Sequence, residues 1–262
     1  MKIEEIEDLV FERDSEQPVI VTGATGGIGR YISRHLSAMD IPLILACRSE
    51  EKYKLLEAEL HNDFPFLQVE YLCLDLADSR SVREAAASLG DRAIYGLINN
   101  AGVMCRRFHI GPDGREDTLN VNYFNTRLLT ELILPNIEPR GAVVFTTSVT
   151  RKSGRHDNLP ESVTEQTFSQ LGTYALSKKL ITRYAATLAE EVRERGIRVN
   201  CADPGVVDSG MITMHRWYDP LADILFRPFI RRPENGAIPA VRALLSPSTA
   251  RVFTLRHDHP LL

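Results

Sequence analysis

Pro18-Val19-Ile20-Val21-Thr22-Gly23-Ala24-Thr25-Gly26-Gly27-Ile28-Gly29 is the stretch that decides the fold. A β-branched apolar run stops at a cluster of glycines, and helical periodicity begins at once from Ile28 to Ala38. Small residues let the backbone bend sharply and approach a pyrophosphate, whose charge meets the free N–H groups of the following helix. Glycine-rich turns are common, so the weight lies in the context: a strand before and an amphipathic helix after.

Outward from this turn the same alternation repeats. Leu43 to Cys47, Gln68 to Leu74, Gly96 to Ile98, Ala142 to Thr146 and Arg198 to Ala202 read as short buried strands like Pro18 to Thr22. Glu50 to His61, Ser79 to Leu89, Glu116 to Leu134 and Leu171 to Arg195 read as helices. Strict β/α alternation predicts right-handed crossovers and an α/β fold: a doubly wound parallel sheet, the Rossmann arrangement, in a single domain. No linker or repeat divides the chain, so residues 18–262 form that domain, after an acidic extension at 1–17.

The composition fits. Of 262 residues, 44% are apolar and 25% charged, enough for a full core and against wholesale disorder. The net charge of −4 lies in the first 17 residues, where Glu4, Glu5, Glu7, Asp8, Glu12, Asp14 and Glu16 face only Lys2 and Arg13, and the remainder is close to neutral. Neither part offers the basic face that nucleic-acid binding needs. The N-terminus lacks a secretory pattern and no apolar run reaches membrane-spanning length, so the expectation is a cytoplasmic protein. Cys47, Cys73, Cys105 and Cys201 are scattered, which predicts free thiols and no metal centre. His257 and His259 offer a metal contact on paper, but read first as part of a frayed tail.

In such sheets ligands bind beyond the carboxyl ends of the strands. The second strand ends in Cys47-Arg48 rather than an acid, and a planar guanidinium suits a ribose 2′-phosphate, which favours NADP over NAD. The alternative is that Arg48 is a solvated residue capping the next helix. Asp75-Leu76 ends the third strand, where a carboxylate either meets an adenine amino group or caps a helix; Ser79 reads as the better cap. Asn99-Asn100-Ala101-Gly102 follows the fourth strand and suits a close backbone approach to a flat ligand, or a plain turn.

Tyr174-Ala175-Leu176-Ser177-Lys178 carries the sharpest chemistry. Tyr174 and Lys178 continue the apolar stripe of Ile181, Ala185, Leu188 and Val192, whereas Lys179 points about 100° away. A lysine on an apolar stripe needs partners. An ammonium beside a phenol lowers its pKa, as does an oxidised nicotinamide, making Tyr174 a general acid for carbonyl reduction and a general base for alcohol oxidation. The plainer reading is a rim tyrosine beside a snorkelling lysine. The fifth strand delivers Ser148 to the same rim, where its hydroxyl suits a substrate oxygen.

Thr22-Gly23-x-x-x-Gly27-x-Gly29, Asn99-Asn100-Ala101-Gly102, Val121-Asn122, Ser148, Tyr174-x-x-x-Lys178 and Pro204-Gly205-x-Val207-x-Ser209 together resemble the short-chain dehydrogenase/reductase family. Ala46-Cys47-Arg48, Asn100 to Met104 and the long gap from Ser148 to Tyr174 look most like the retinol dehydrogenase and protochlorophyllide reductase branch. The resemblance implies a catalytic tetrad of Asn122, Ser148, Tyr174 and Lys178, with Asn122 holding a relay water and Lys178 gripping the nicotinamide ribose. It implies a cofactor cradle of Gly23, Thr25, Gly26, Gly27, Ile28, Gly29, Arg48, Asp75, Leu76, Asn100, Ala101 and Gly102, with Pro204, Gly205, Val207 and Ser209 at the nicotinamide. It also implies a homodimer or homotetramer. The chain departs from the family pattern in Ser209, where threonine is usual, and in an end lacking the usual glycine-plus-aromatic closing strand.

A lid at 206–232 holds Met211, Met214, Trp217 and Tyr218 among other apolar residues and several arginines. Flexible methionine and flat tryptophan favour a bulky lipophilic substrate such as a steroid, quinone, retinoid-like or aromatic carbonyl. The same residues also suit core closure or peripheral contact with a membrane surface. Two other functions compete with an oxidoreductase: a non-catalytic NADP-binding regulator, against which the Tyr174/Lys178 pair argues, and a nucleotide-sugar epimerase or dehydratase, for which the chain is short.

Overall fold

The structure, a computed structural model, describes residues 15–153, 163–205 and 232–261. Six strands lie where the sequence places them: β1 (Val19–Thr22), β2 (Leu43–Cys47), β3 (Val69–Cys73), β4 (Ile94–Asn99), β5 (Ile137–Thr146) and β6 (Arg198–Ala202). Two more, β7 (Arg251–Phe253) and β8 (Asp258–Pro260), close the sheet. The order is β3-β2-β1-β4-β5-β6-β7-β8, parallel except for β8. The tail is therefore not frayed: β8 pairs antiparallel with β7, His259 opposite Val252. All four cysteines are free thiols.

The helices are α1 (Gly27–Ser37), α2 (Glu50–Asp63), α3 (Ser79–Ser88), α4, α5 (Gln170–Glu191) and α6 (Pro233–Leu245). α4 runs through Asp117–Leu119, a π-helical turn Asn120–Asn125, and Thr126–Ile133. Alternate residues of each strand feed two separate cores. Val19 and Val21 meet Ile32 and Leu36 of α1 and Val241 and Leu244 of α6. Ile20 meets the opposite layer, with Val82 of α3, Leu129 of α4 and Ile181 and Leu188 of α5. With both faces covered, the central strands carry no polar alternation, and each fully buried aliphatic side chain contributes about 1.5–3 kcal/mol.

α6 has no counterpart in the sequence reading. It begins at Pro233, contains Gly236 and Pro239, and buries nine residues on nearly every side, so it shows breakers and little amphipathic period. The π-turn in α4 also interrupts a helix expected to be continuous. On a regular α-helix Asn120 and Asn125 would lie about 140° apart. The wider turn brings both to one side, where their amides donate to Asp113 Oδ2 at 2.9 and 2.7 Å.

β1 is the strand from which the chain winds both ways, to β2 and β3 on one side and to β4 and beyond on the other. The crevice between the β1 and β4 ends is thus the topological switch point, where ligands bind in such sheets. Among the described residues no helix is long and apolar enough to cross a membrane.

Candidate active site

The floor of the crevice is two turns laced together by neutral groups. Thr22 Oγ1 accepts from the N–H groups of Asn100 and Ala101, both at 3.0 Å, and donates to Ile98 O. Asn100 Nδ2 returns to Thr22 O at 3.0 Å. Gly23 takes φ +62°, and a Cβ there would stand 3.0 Å from Ala101 Cα. A Cβ on Gly29 would fall 2.1 Å from Gly23 O, so this position tolerates only glycine. Thr22, named in the sequence only as part of a motif, is the hub of these contacts, and a single hydroxyl directly before the first glycine was its only signal.

The helix that follows is open to an anion. Gly26 stands at the N-cap of α1 with no side chain closing it, and the first turn holds no acid. The free N–H groups and the dipole therefore face the crevice. Beyond β2, Ser49 rather than Arg48 caps α2, accepting from Lys52 N–H, and Arg48 is exposed. The capping alternative for Arg48 thus falls away.

At the end of β3, Asp75 Oδ1 accepts from Ala77 N–H at 2.9 Å, forming a local turn. The cap of α3 is Asp78, which accepts from Arg80 N–H, not Ser79. Ser79 instead gives its hydroxyl to Asp113 Oδ1 at 2.7 Å and its N–H to the same carboxylate. Burial works to raise the Asp113 pKa, but the donors Ser79, Asn120 and Asn125 outweigh it and hold the carboxyl down at about 2. Asn120 and Asn125 also reach Ala77 O and Leu76 O. Asp113, unremarked in the sequence, so ties the Asp75-Leu76 turn to α4.

Asn122 sits in the π-turn and clamps the next turn with both ends of its amide. Oδ1 accepts from Val103 N–H and Nδ2 donates to Val103 O, each at 2.8 Å. Its second amide hydrogen goes to Ser177 Oγ, which donates to Tyr174 O. A Cβ on Gly102 would stand 3.2 Å from Asn122 Oδ1 and 3.4 Å from Lys178 Nζ, so that glycine lets the turn lie against both.

Ser148, Tyr174 and Lys178 converge where β5 and α5 meet. Lys178 is buried, with 4% exposure, and its Nζ donates to Thr146 O at 2.8 Å. The Nζ also stands 5.6 Å from the centre of the Tyr174 ring. Burial pulls the Lys178 pKa down to about 8 against the opposing charges of Cys201 and Asp203. Tyr174 is pushed up to about 12, by burial first and then by Asp203, while a hydrogen bond with Ser148 pulls it down. Of the two groups expected to make the phenol acidic, Lys178 gives its ammonium to a backbone carbonyl, and burial outweighs it.

Pro204 and Gly205 follow β6, with Gly205 at φ +74° and its N–H on Asp203 Oδ1. Val207, Ser209, Met211, Met214, Trp217 and Tyr218, the rest of the lid, and the acidic extension up to Asp14 lie outside the described residues.

The family model for short chain dehydrogenases matches residues 17–217. The chain belongs to that family. A polyprenol dehydrogenase of Danio rerio is 32% identical over 241 residues, covering 86% of this chain and 72% of the relative. Retinol dehydrogenase 12 of Homo sapiens is 31% identical over 235 residues, covering 87% and 73%. The solved short chain dehydrogenase of Burkholderia cenocepacia, in complex with NADP, superposes with a TM-score of 0.73 at 22% identity, covering 93% of this chain and 97% of that one. Levodione reductase superposes at 0.74 with 22% identity, covering 92% and 96%. This short chain dehydrogenase is accordingly an oxidoreductase of alcohol and carbonyl groups, similar in sequence to the retinol and polyprenol dehydrogenases.

Proposed function

We propose that the chain interconverts a lipophilic carbonyl and its alcohol with NADP(H), Tyr174 exchanging the proton. The convergence of Ser148, Tyr174 and a buried Lys178 at the mouth of the switch-point crevice carries this reading. When bound, a nicotinamide dinucleotide would supply or accept the hydride. The described residues fit it: the uncapped start of α1 for the pyrophosphate, Gly23, Thr25, Gly26, Gly27, Ile28 and Gly29 for close approach, and Asn100, Ala101 and Gly102 along its length. Asp75 and Leu76, at the turn after β3, would meet the adenine. Exposed Arg48 favours the 2′-phosphate of NADP.

In the reduction direction Tyr174 starts protonated at neutral pH and donates to the nascent alkoxide, which Ser148 orients. In oxidation the phenol must lose its proton first, and the positive charge of Lys178 is the group on α5 that favours the loss. A lipophilic substrate is supported by exposed Val149 and Leu171 beside Ser148 and Tyr174, and by the names of the retinol and polyprenol relatives. A homodimer or homotetramer is part of the proposal, to be read by light scattering.

The test is a panel of carbonyls and alcohols followed by NADPH absorbance, beside Tyr174→Phe. The expected result is turnover of a lipophilic pair in the wild type and a loss of about 10²–10⁴-fold in the variant with NADPH binding kept. Full turnover by Tyr174→Phe would end the reading.

A further inference from the structure

Asp203, the last residue before Pro204-Gly205, carries no role in the sequence reading, yet it is buried and gathers the two loops of the site. Its Oδ1 accepts from Gly205 N–H at 3.0 Å, and its own N–H donates to Phe253 O at 2.8 Å. Its Oδ2 accepts from Arg151 Nη1 at 2.8 Å, and the same guanidinium nitrogen donates to Ser148 O at 2.9 Å. The two side chains are only 9% and 10% exposed. Removing two charges from water costs more than an exposed ion pair returns, so a buried pair of this kind contributes little to stability relative to apolar residues. What it does contribute is geometry: one nitrogen bridges the turn carrying the Ser148 hydroxyl to the loop carrying Gly205.

We propose that Arg151 and Asp203 are positioning residues that hold Ser148 in register with the Pro204-Gly205 turn and, as a pair, set the charge that Tyr174 meets. The proposal rests on Tyr174 as the proton-exchanging group. Tyr174 meets Lys178 on its own helix, Ser148 after β5 and Asp203 after β6. Behind these stand Arg151, paired with Asp203, Cys201 of β6, beside Lys178, and the uncharged Asn122 of α4, bonded to Ser177. The Asp203 charge favours the neutral phenol, and the Arg151 guanidinium paired with that carboxylate opposes it, so deleting each should move the phenol in opposite directions.

The test is the pH profile of kcat for alcohol oxidation, where the rising limb reports loss of the phenol proton. Asp203→Asn keeps an acceptor for Gly205 N–H and drops the charge; its limb should move about one unit to lower pH, with kcat about tenfold below wild type at its optimum. Arg151→Gln should move the limb about one unit higher, whereas Arg151→Lys, which keeps the charge, should leave it in place. NADPH affinity, read by the fluorescence of the nucleotide itself, should stay within about threefold in all three. A merely structural pair would lower melting temperature and kcat together and leave the limbs unmoved. Unmoved limbs, or limbs moving the same way, overturn the proposal. If Asp203→Asn does not fold, the direction of the Arg151→Gln limb against Arg151→Lys decides alone. Tyr174→Phe is run in parallel: full turnover there sinks the reading of the site itself, while lost turnover there with unmoved limbs elsewhere sinks only the positioning pair.

Discussion

One edge of one sheet is built in two ways on its two sides. At the ends of β1 and β4 the crevice is shaped by Thr22, Gly23, Gly29 and Asn100, all uncharged, joined through backbone carbonyls and N–H groups. At the ends of β5 and β6 it gathers Lys178, Arg151 and Asp203, whose charges act on one another and around the neutral phenol of Tyr174. The first side solves a problem of space, because backbone must come close to a ligand without side chains in the way. The second solves a problem of protonation, because burial moves both the phenol and the ammonium away from their ordinary values. A substitution on the first side should therefore act through binding and stability, and one on the second through turnover and pH.

The most severe break of this contrast comes from Gly29→Ala. Its methyl would land 2.1 Å from a backbone oxygen that cannot move away, costing about 3–5 kcal/mol. Thermal melting should fall sharply and NADPH binding should be lost together; a stable variant that still binds would show that the turn has slack. Lys178→Met tests the other side. Turnover should drop about 10²-fold, but stability should hold or rise, since a buried cation is exchanged for an apolar chain of similar length. Because the folded pKa of Lys178 is depressed, the wild type gains stability as pH rises from about 8 toward 10.5, and the variant should lack that gain in urea titrations.

A smaller effect belongs to Asp113, which serves neither side directly but fastens the Asp75 turn to the π-turn. Its folded pKa is depressed, so its contribution is present above the ordinary carboxylate value of 3.8 and lost as pH falls toward about 2. Asp113→Asn should remove roughly 2 kcal/mol above pH 4 and flatten acid unfolding across that window, as measured by circular dichroism. The mildest is Arg48→Gln, expected to raise KM for NADPH about tenfold and leave KM for NADH and the melting temperature unchanged. An unchanged NADPH preference would remove Arg48 from the phosphate contact.

Most strands were legible because a doubly covered parallel sheet writes itself as short apolar β-branched runs, as Val19 to Thr22 and Leu43 to Cys47 do. α6 was not, because a helix buried on nearly all sides has no polar face to mark its period, and Pro239 reads as a stop. β7 and β8 are three residues each, too short for a pattern of their own. Within the site, Tyr174 and Lys178 stood out because a four-residue spacing puts both on one helical face. Arg151, Asp203 and Asp113 did not, since their partners lie 52 residues away for Asp203 on Arg151 and 34 for Asp113 on Ser79.

The amino-acid order alone therefore determined the alternation of strand and helix, the glycine turn and the shared face of Tyr174 and Lys178. Those properties depend on neighbours within a few residues, where backbone sterics and helical periodicity act. The protonation state of the phenol, the clamp made by Asn122 and the bridge from Ser148 through Arg151 to Asp203 were decided only by the folded chain. Each is set by burial and by charges that distant segments bring together, and desolvation has no value until the sheet has closed around the group.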